Sequence, residues 1–262
     1  MSVGKPLSVV LLGTLILGGT FVRAAEDEGD HWQFITAPFL WGTSIEGDIT
    51  THGRTLNVNL GFDDLLEVTD YGFQTYLELR KKQFGFYASP SYLKLSGDGS
   101  SQHASATFEQ HFWLVEGGAF FNLVDMGGEA PFTLDLLAGV RYWNIDTEVN
   151  IRGAGPLGAN LQLGSLFEIT DPVVGLRMQR HITRKLSIAI RGDVGGFGIS
   201  EGDTSDFSWQ GIGLVGYDLS RKFTLMAGYR ALGVRTDEGT GTSHKGVDLI
   251  FQGLVLGLQV RW

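Results

Sequence analysis

The chain contains no cysteine and only six prolines, and charged residues make up 19% of it. The missing thiols exclude both a disulfide framework and lipid attachment through a lipobox. After the first two dozen residues, no apolar run is long enough to cross a bilayer as a helix. An excess of positive charge is also lacking. Lys and Arg number 20 against 29 Asp and Glu, giving a formal charge of −9, and an acidic chain lacks the electrostatic footprint of a nucleic-acid binder. No linker, low-complexity tract or repeated packed module interrupts the sequence. What the chain does have is 38 glycines and many short stretches that are apolar at every second position. This composition reads as strands and turns.

Residues 1–24 read as a secretory signal peptide. Lys5 supplies the positive start, Leu7 to Leu17 is an apolar run too short to span a bilayer, and Val22-Arg23-Ala24 offers small residues for cleavage after Ala24. Loss of Lys5 and Arg23 removes two cations, so −9 becomes −11. Residues 25–262 suit one large β domain or two small ones, and a single barrel domain is the reading preferred.

Strands are expected near 31–49, 71–81, 84–97, 104–122, 132–150, 166–180, 185–198, 207–219, 222–235 and 246–262. Every second connection is short: Lys81-Lys82-Gln83, His181 to Lys185, Leu219 to Lys222 and the somewhat longer 123–131. The others, near 50–70, 97–103, 151–165, 199–206 and 236–245, are mostly long and polar. This rhythm predicts an all-β fold, a transmembrane antiparallel up-and-down barrel of ten strands (alternatives eight or twelve) with both termini periplasmic. Within 50–70, Arg54 to Leu60 pairs with Ser44 to Thr50 as a hairpin extension above the bilayer or crosses as a further strand; the extension is preferred. Phe62 to Val68 has helix-like apolar spacing and is a candidate cap for the barrel mouth, or a surface turn without a role.

The strand faces carry the membrane argument. Leu254, Leu256, Leu258, Val260 and Trp262 share one face of the last strand, against Gly257, Gln259 and Arg261. A strand ending on an aromatic after alternating apolar residues is read as the C-terminal insertion signal of a lipid-facing wall. Likewise Phe132, Leu134, Leu136, Ala138, Val140 and Tyr142 oppose Thr133, Asp135, Leu137, Gly139 and Arg141. A soluble sandwich buries its apolar face and solvates its polar one; a membrane barrel inverts this. Tyr71, Tyr92 and Tyr142 form an expected upper aromatic ring, and Trp262, Phe223 and Phe84 a lower one. In 108–121 Phe112 and Leu114 fall in phase with Glu116, and a bulge is expected to resolve the conflict.

The inward phase collects Glu78, Arg80, Asp135, Arg141, Arg177, Arg191, Asp193 and Arg230, with Glu116 as a further member. Mixed signs in a narrow bore favour a packed ion-pair network. The arginine excess leaves an anion-binding lumen as the second reading. His103 and Ser105 share a strand face, a spacing that resembles barrel-type lipid esterases, but no orienting acid or oxyanion donor can be assigned. Glu201, Asp203 and Asp206, and Asp63, Asp64, Glu67 and Asp70, form acidic loops without the ligand spacing of a calcium site. No catalytic residue, metal site or cofactor is therefore expected.

Several stretches together resemble a family of uncharacterised proteobacterial outer-membrane barrel proteins. They are Ala37-Pro38-Phe39-Leu40-Trp41, the run Leu136 to Trp143, Asp171 to Arg177, Gly192 to Gly198 with Trp209, and Gly228 to Leu232. The resemblance covers nearly all of the chain beyond the leader and implies a single membrane barrel in a Gram-negative outer membrane. It carries over no catalytic residue, and Ser89 stands where such relatives are expected to be acidic. Outer-membrane lipid, lipopolysaccharide, the barrel-assembly machinery and periplasmic chaperones are the expected partners. A structural or narrow, porin-like barrel is the leading function. A lipid- or lipopolysaccharide-modifying enzyme and a loop-mediated adhesion or binding protein are the alternatives.

Overall fold

A computed structural model describes residues 31–100, 104–128, 130–153, 160–200 and 202–262. The strands are β1 (Gln33–Thr51), β2 (Arg54–Leu60), β3 (Thr69–Lys81), β4 (Phe84–Ser100), β5 (Ala104–Met126), β6 (Phe132–Gly153), β7 (Asn160–His181), β8 (Leu186–Gly196), β9 (Phe207–Asp218), β10 (Phe223–Glu238) and β11 (Lys245–Arg261), with one helix, α1 (Phe62–Val68), between β2 and β3. Each strand from β3 onward pairs antiparallel with the next, and β11 pairs back onto β1, so ten strands close a barrel. Closure leaves no free edge strand in the wall, except for the stretch of β1 between Pro38 and Ile45, which pairs with neither β3 nor β2. Trp262 completes the seam by donating its backbone N–H to the carbonyl of Phe34 at 3.0 Å.

The eleventh strand is the hairpin extension. β2 pairs only with Ile45–Thr51 of β1, whereas β3 pairs with Gln33–Pro38 on that same edge lower down. At the upper seam β1 and β11 approach closely. A Cβ on Gly47 (φ +141°) would lie 1.9 Å from the carbonyl oxygen of Asp248, so only glycine fits there.

The four connections singled out as shorter from the sequence lie at one end of the barrel, beside Gln33 and Arg261, whereas the tight turn between β1 and β2 lies at the other. At the other end the strands run further than their polarity suggests. β4 and β5 pair as far as Ser100 with Ser105, and β6 and β7 as far as Arg152 with Asn160. Glycines and polar residues such as Gly97, Thr107 and Glu148 therefore mark where the wall leaves the apolar band, not where the strands stop. The described parts of the segments read as long loops at 97–103 and 151–165 are paired sheet.

Side-chain burial is inverted relative to a soluble protein. Asp135 and Arg141 of β6 are fully buried, while Leu136 and Val140 between them are 40% and 50% exposed. On β11 Leu254, Leu256, Leu258 and Trp262 are 72%, 53%, 37% and 66% exposed, with Val255 buried among them. Val260 is half-buried. Phe84, Phe223 and Tyr71 also stand outside. So continuous an apolar outer belt exceeds what monomeric soluble proteins present to water, and it matches a wall solvated by hydrocarbon.

Two expectations are corrected. β5 pairs with β4 in unbroken register through 105–121, and its shift against β6 lies later, between Asn122 and Val124. Phe112, Leu114 and Glu116 all point inward and are 8%, 0% and 1% exposed; the interior itself changes character with height. α1, in turn, is not a lid over the mouth. Gly42 pairs with the outward-facing Leu254, and the Phe62 ring lies over Gly42. The helix is thus seated on the outside of the wall, where β1 parts from β3.

Candidate functional site

Facing strands bring inward side chains together in layers. Nearest the short turns, Arg177 donates to Asp135 Oδ2 from Nε (3.0 Å) and Nη2 (2.7 Å), and its Nη1 reaches both Glu78 Oε2 and the Tyr76 hydroxyl. Arg80 bridges the same two carboxylates, from Nε to Glu78 (3.1 Å) and from Nη2 to Asp135 (2.9 Å). Asn122 satisfies the remaining Asp135 oxygen at 2.8 Å. Both guanidiniums lie over the Phe120 ring, at 4.6 and 4.7 Å from its centroid. Two cations, two anions and their hydrogen bonds leave this layer neutral, as buried ions require.

Above it Tyr87, Phe120 and Leu137 form a small apolar layer. A second ionic layer follows. Arg141 donates from Nε to Glu116 (2.7 Å) and from Nη2 to Asp193. Arg191 donates from Nε to Asp193 (2.8 Å) and places Nη1 3.5 Å from Glu116. Arg230 donates to Glu116 at 3.2 Å and to Gln210 Oε1 at 2.8 Å, and Gln210 passes a hydrogen bond on to Asp193 at 2.9 Å. Arg230 lies over Trp41 (4.5 Å) and Arg191 over Tyr87 (4.9 Å). This layer holds three arginines and two carboxylates.

Beyond the second layer the bore is filled by apolar side chains. Leu114, Trp143 and Leu232 are fully buried, and the rings of Phe112, Trp143 and Phe251 meet at 5.4 to 6.2 Å between centroids. Residues 197–200 and 202–206 fold against this end. Buried Asp171 accepts the backbone N–H and the hydroxyl of Ser205, both at 2.8 Å. Together these groups pack the interior at the long-connection end.

All eight inward charges named from sequence are brought together here. Glu116 is the hub of the second layer, contacted by all three of its arginines. Tyr76, Asn122, Gln210 and the Asp171–Ser205 pair were missed. Their one available signal is shared phase with an inward charge, and uncharged or loop residues carry that signal weakly.

The other candidates do not assemble a site. His103 and Glu201 lie outside the described residues. Asp203 accepts from the Ser200 hydroxyl at 2.9 Å and pairs its carbonyl with Thr170 N–H. Asp64 caps the start of α1, accepting Gly61 N–H at 2.9 Å. Among the described residues no cluster of three metal-ligating side chains occurs. Beyond the aromatic ring, on the outer face of β4 and β5, Glu109 accepts from Lys94 (2.6 Å) and lies 3.0 Å from His111 Nε2. The Lys94 bond, with help from His111, holds the Glu109 carboxyl below its ordinary range and raises the Lys94 ammonium.

The closed ten-strand wall with an apolar exterior has solved counterparts. The outer membrane protease OmpT of Escherichia coli superimposes over 92% of this chain and 99% of its own, with a TM-score of 0.50 at 7% identity. The fold is that of an outer-membrane β-barrel. The translocator domain of the autotransporter NalP from Neisseria meningitidis aligns over 90% of both chains, with a TM-score of 0.35 and 10% identity. Ail, the attachment invasion locus protein of Yersinia pestis, aligns over 89% of this barrel and 99% of its own chain, with a TM-score of 0.34 and 11% identity. No family model and no curated protein matches the sequence. The likeness is therefore one of architecture.

Proposed function

We propose that the protein is an integral β-barrel of the bacterial outer membrane whose bore is closed to through-passage, a structural barrel and not a diffusion pore. The observation that carries this reading is the second ionic layer with the apolar plug stacked on it in the long-connection half of the cylinder. A general diffusion pore keeps a water-filled lumen; here Trp143 and Leu114 occupy its axis. Of the narrow-pore and structural versions, the plug favours the structural one. In this reading the leader at 1–24 is cleaved on export, and the terminal strand through Trp262 serves as the signal to the assembly machinery.

Planar-bilayer recording of the purified, folded chain tests the proposal. The expected result is the absence of steady unitary events at moderate voltage. Regular, ion-selective openings of uniform size would show a continuous path and overturn it.

A further inference from the structure

Below the second ionic layer the barrel encloses a cavity of about 420 Å³. Its lining extends from Glu116, Arg191 and Arg230 down to Pro131, His181 and Arg261 at the short-turn end. The size falls within the range of small-molecule sites, about 300–1,000 Å³. The cavity is two-faced. Ile35, Phe39, Ile212, Leu214, Met226 and Val255, from β1 and β9–β11, make one wall apolar. Tyr76, Glu78 and Arg177 of the neutral lower layer line the opposite side.

The ceiling is unbalanced. Three arginines share Glu116 and Asp193, so the layer carries one positive charge more than its partners neutralise. Two of its guanidinium groups show the deficit directly: Arg141 Nη1 and Arg191 Nη2 are buried and find no acceptor among the described residues. Unpaired buried charge is costly, and two of the three arginines, Arg191 and Arg230, line this cavity, which is large enough to hold a counter-anion. At the mouth Arg261 lies 3.6 Å from Asp218.

We infer that this cavity binds a single-chain amphiphile with an anionic head, the head against Arg191 and Arg230 and the chain along the apolar wall toward the short-turn mouth. A neutral head forfeits a charge-assisted hydrogen bond in a desolvated layer, which corresponds to at least about tenfold in affinity. A purely polar anion forfeits the apolar wall. The inference rests on the barrel reading for the fold but not on the absence of conductance, because a blind cavity fills from one end.

The test uses the full chain trapped in amphipol, with heat-modifiable gel migration first confirming the folded barrel, so that a failure of the barrel reading is seen separately. Radiolabelled laurate is titrated and displaced with unlabelled laurate, lauryl phosphate or dodecanol. The inference predicts saturable binding at one site per barrel, displaced by either anionic amphiphile and at least about tenfold less well by dodecanol. The tighter of the two anions identifies the head as carboxylate or phosphate. Leu214→Trp, which fills the apolar wall without touching a charge, should abolish binding while keeping heat-modifiable migration. The comparison of acid with alcohol needs no variant and stands if Leu214→Trp does not fold. Uptake that does not saturate, displacement by dodecanol as effective as by laurate, or binding unchanged in a folded Leu214→Trp barrel would overturn the inference.

Discussion

Glu116 is the side chain on which the second ionic layer converges. It lies in a fully buried position and receives Arg141, Arg191 and Arg230. Replacing it with alanine leaves three guanidiniums facing one carboxylate. Removal of one partner from a buried ion network typically costs about 3–5 kcal/mol, so Glu116→Ala should lower the midpoint of urea unfolding in lipid vesicles by a corresponding amount. A surface carboxylate in the upper wall behaves differently. Glu109 is held ionised by Lys94 and His111, and a group with a depressed folded pKa contributes stability above its unfolded pKa and loses it as pH falls through the folded value. NMR titration of the Glu109 carboxyl should give a midpoint below that of a free glutamate, returning toward it in Lys94→Ala. At this scale the sequence disclosed charge well and neutrality poorly. Arg141 and Asp193 announce themselves as ions on an apolar-facing strand. Gln210 and Asn122 complete the same networks, but an amide on a strand is equally at home in water, so nothing in the residue type points inward.

Strands were legible wherever lipid covers one face along the whole apolar band. β6 and β11 alternate in exposure because outward positions in the band such as Leu136, Val140, Leu254 and Leu256 meet hydrocarbon, while the inward positions are buried whatever their type, from Asp135 and Arg141 to Leu137 and Val255. β5 was not legible, because its inward face passes from Phe112 and Leu114 in the plug to Glu116 in the ionic layer and Gly118 below. Alternation reports which side a residue faces but not at what height. The same limit hid the tops of β4–β7, whose polar residues leave the apolar band while the hydrogen-bond ladder continues. The placement of α1 outside the wall was hidden for another reason: Phe62 packs on Gly42, a contact made by partners 20 residues apart that no local period encodes. For β11, an arginine at an outward mid-band position should cost about 2–4 kcal/mol. Leu256→Arg is thus expected to reduce folding into bilayers by that margin, measured by urea titration in vesicles. Leu256→Phe, apolar at the same place, should leave the midpoint nearly unchanged.

For the whole molecule, closure of β1 onto β11 and burial of both ionic layers make one cooperative cylinder, and a ladder without edges resists detergent until it is heated. Unheated and boiled samples should therefore migrate differently on gels. The central claim, however, is the inversion: hydrocarbon outside, ions and a plug inside. The absence of native cysteine permits single-cysteine fluorophore labelling along β11 in vesicles containing brominated lipid. If the wall is as described, probes at Leu254, Leu256 and Leu258 are strongly quenched and probes at Val255 and Gly257 are not, in strict alternation. Equal quenching along the strand, or shielding of the leucines with Val255 exposed to lipid, would contradict the account.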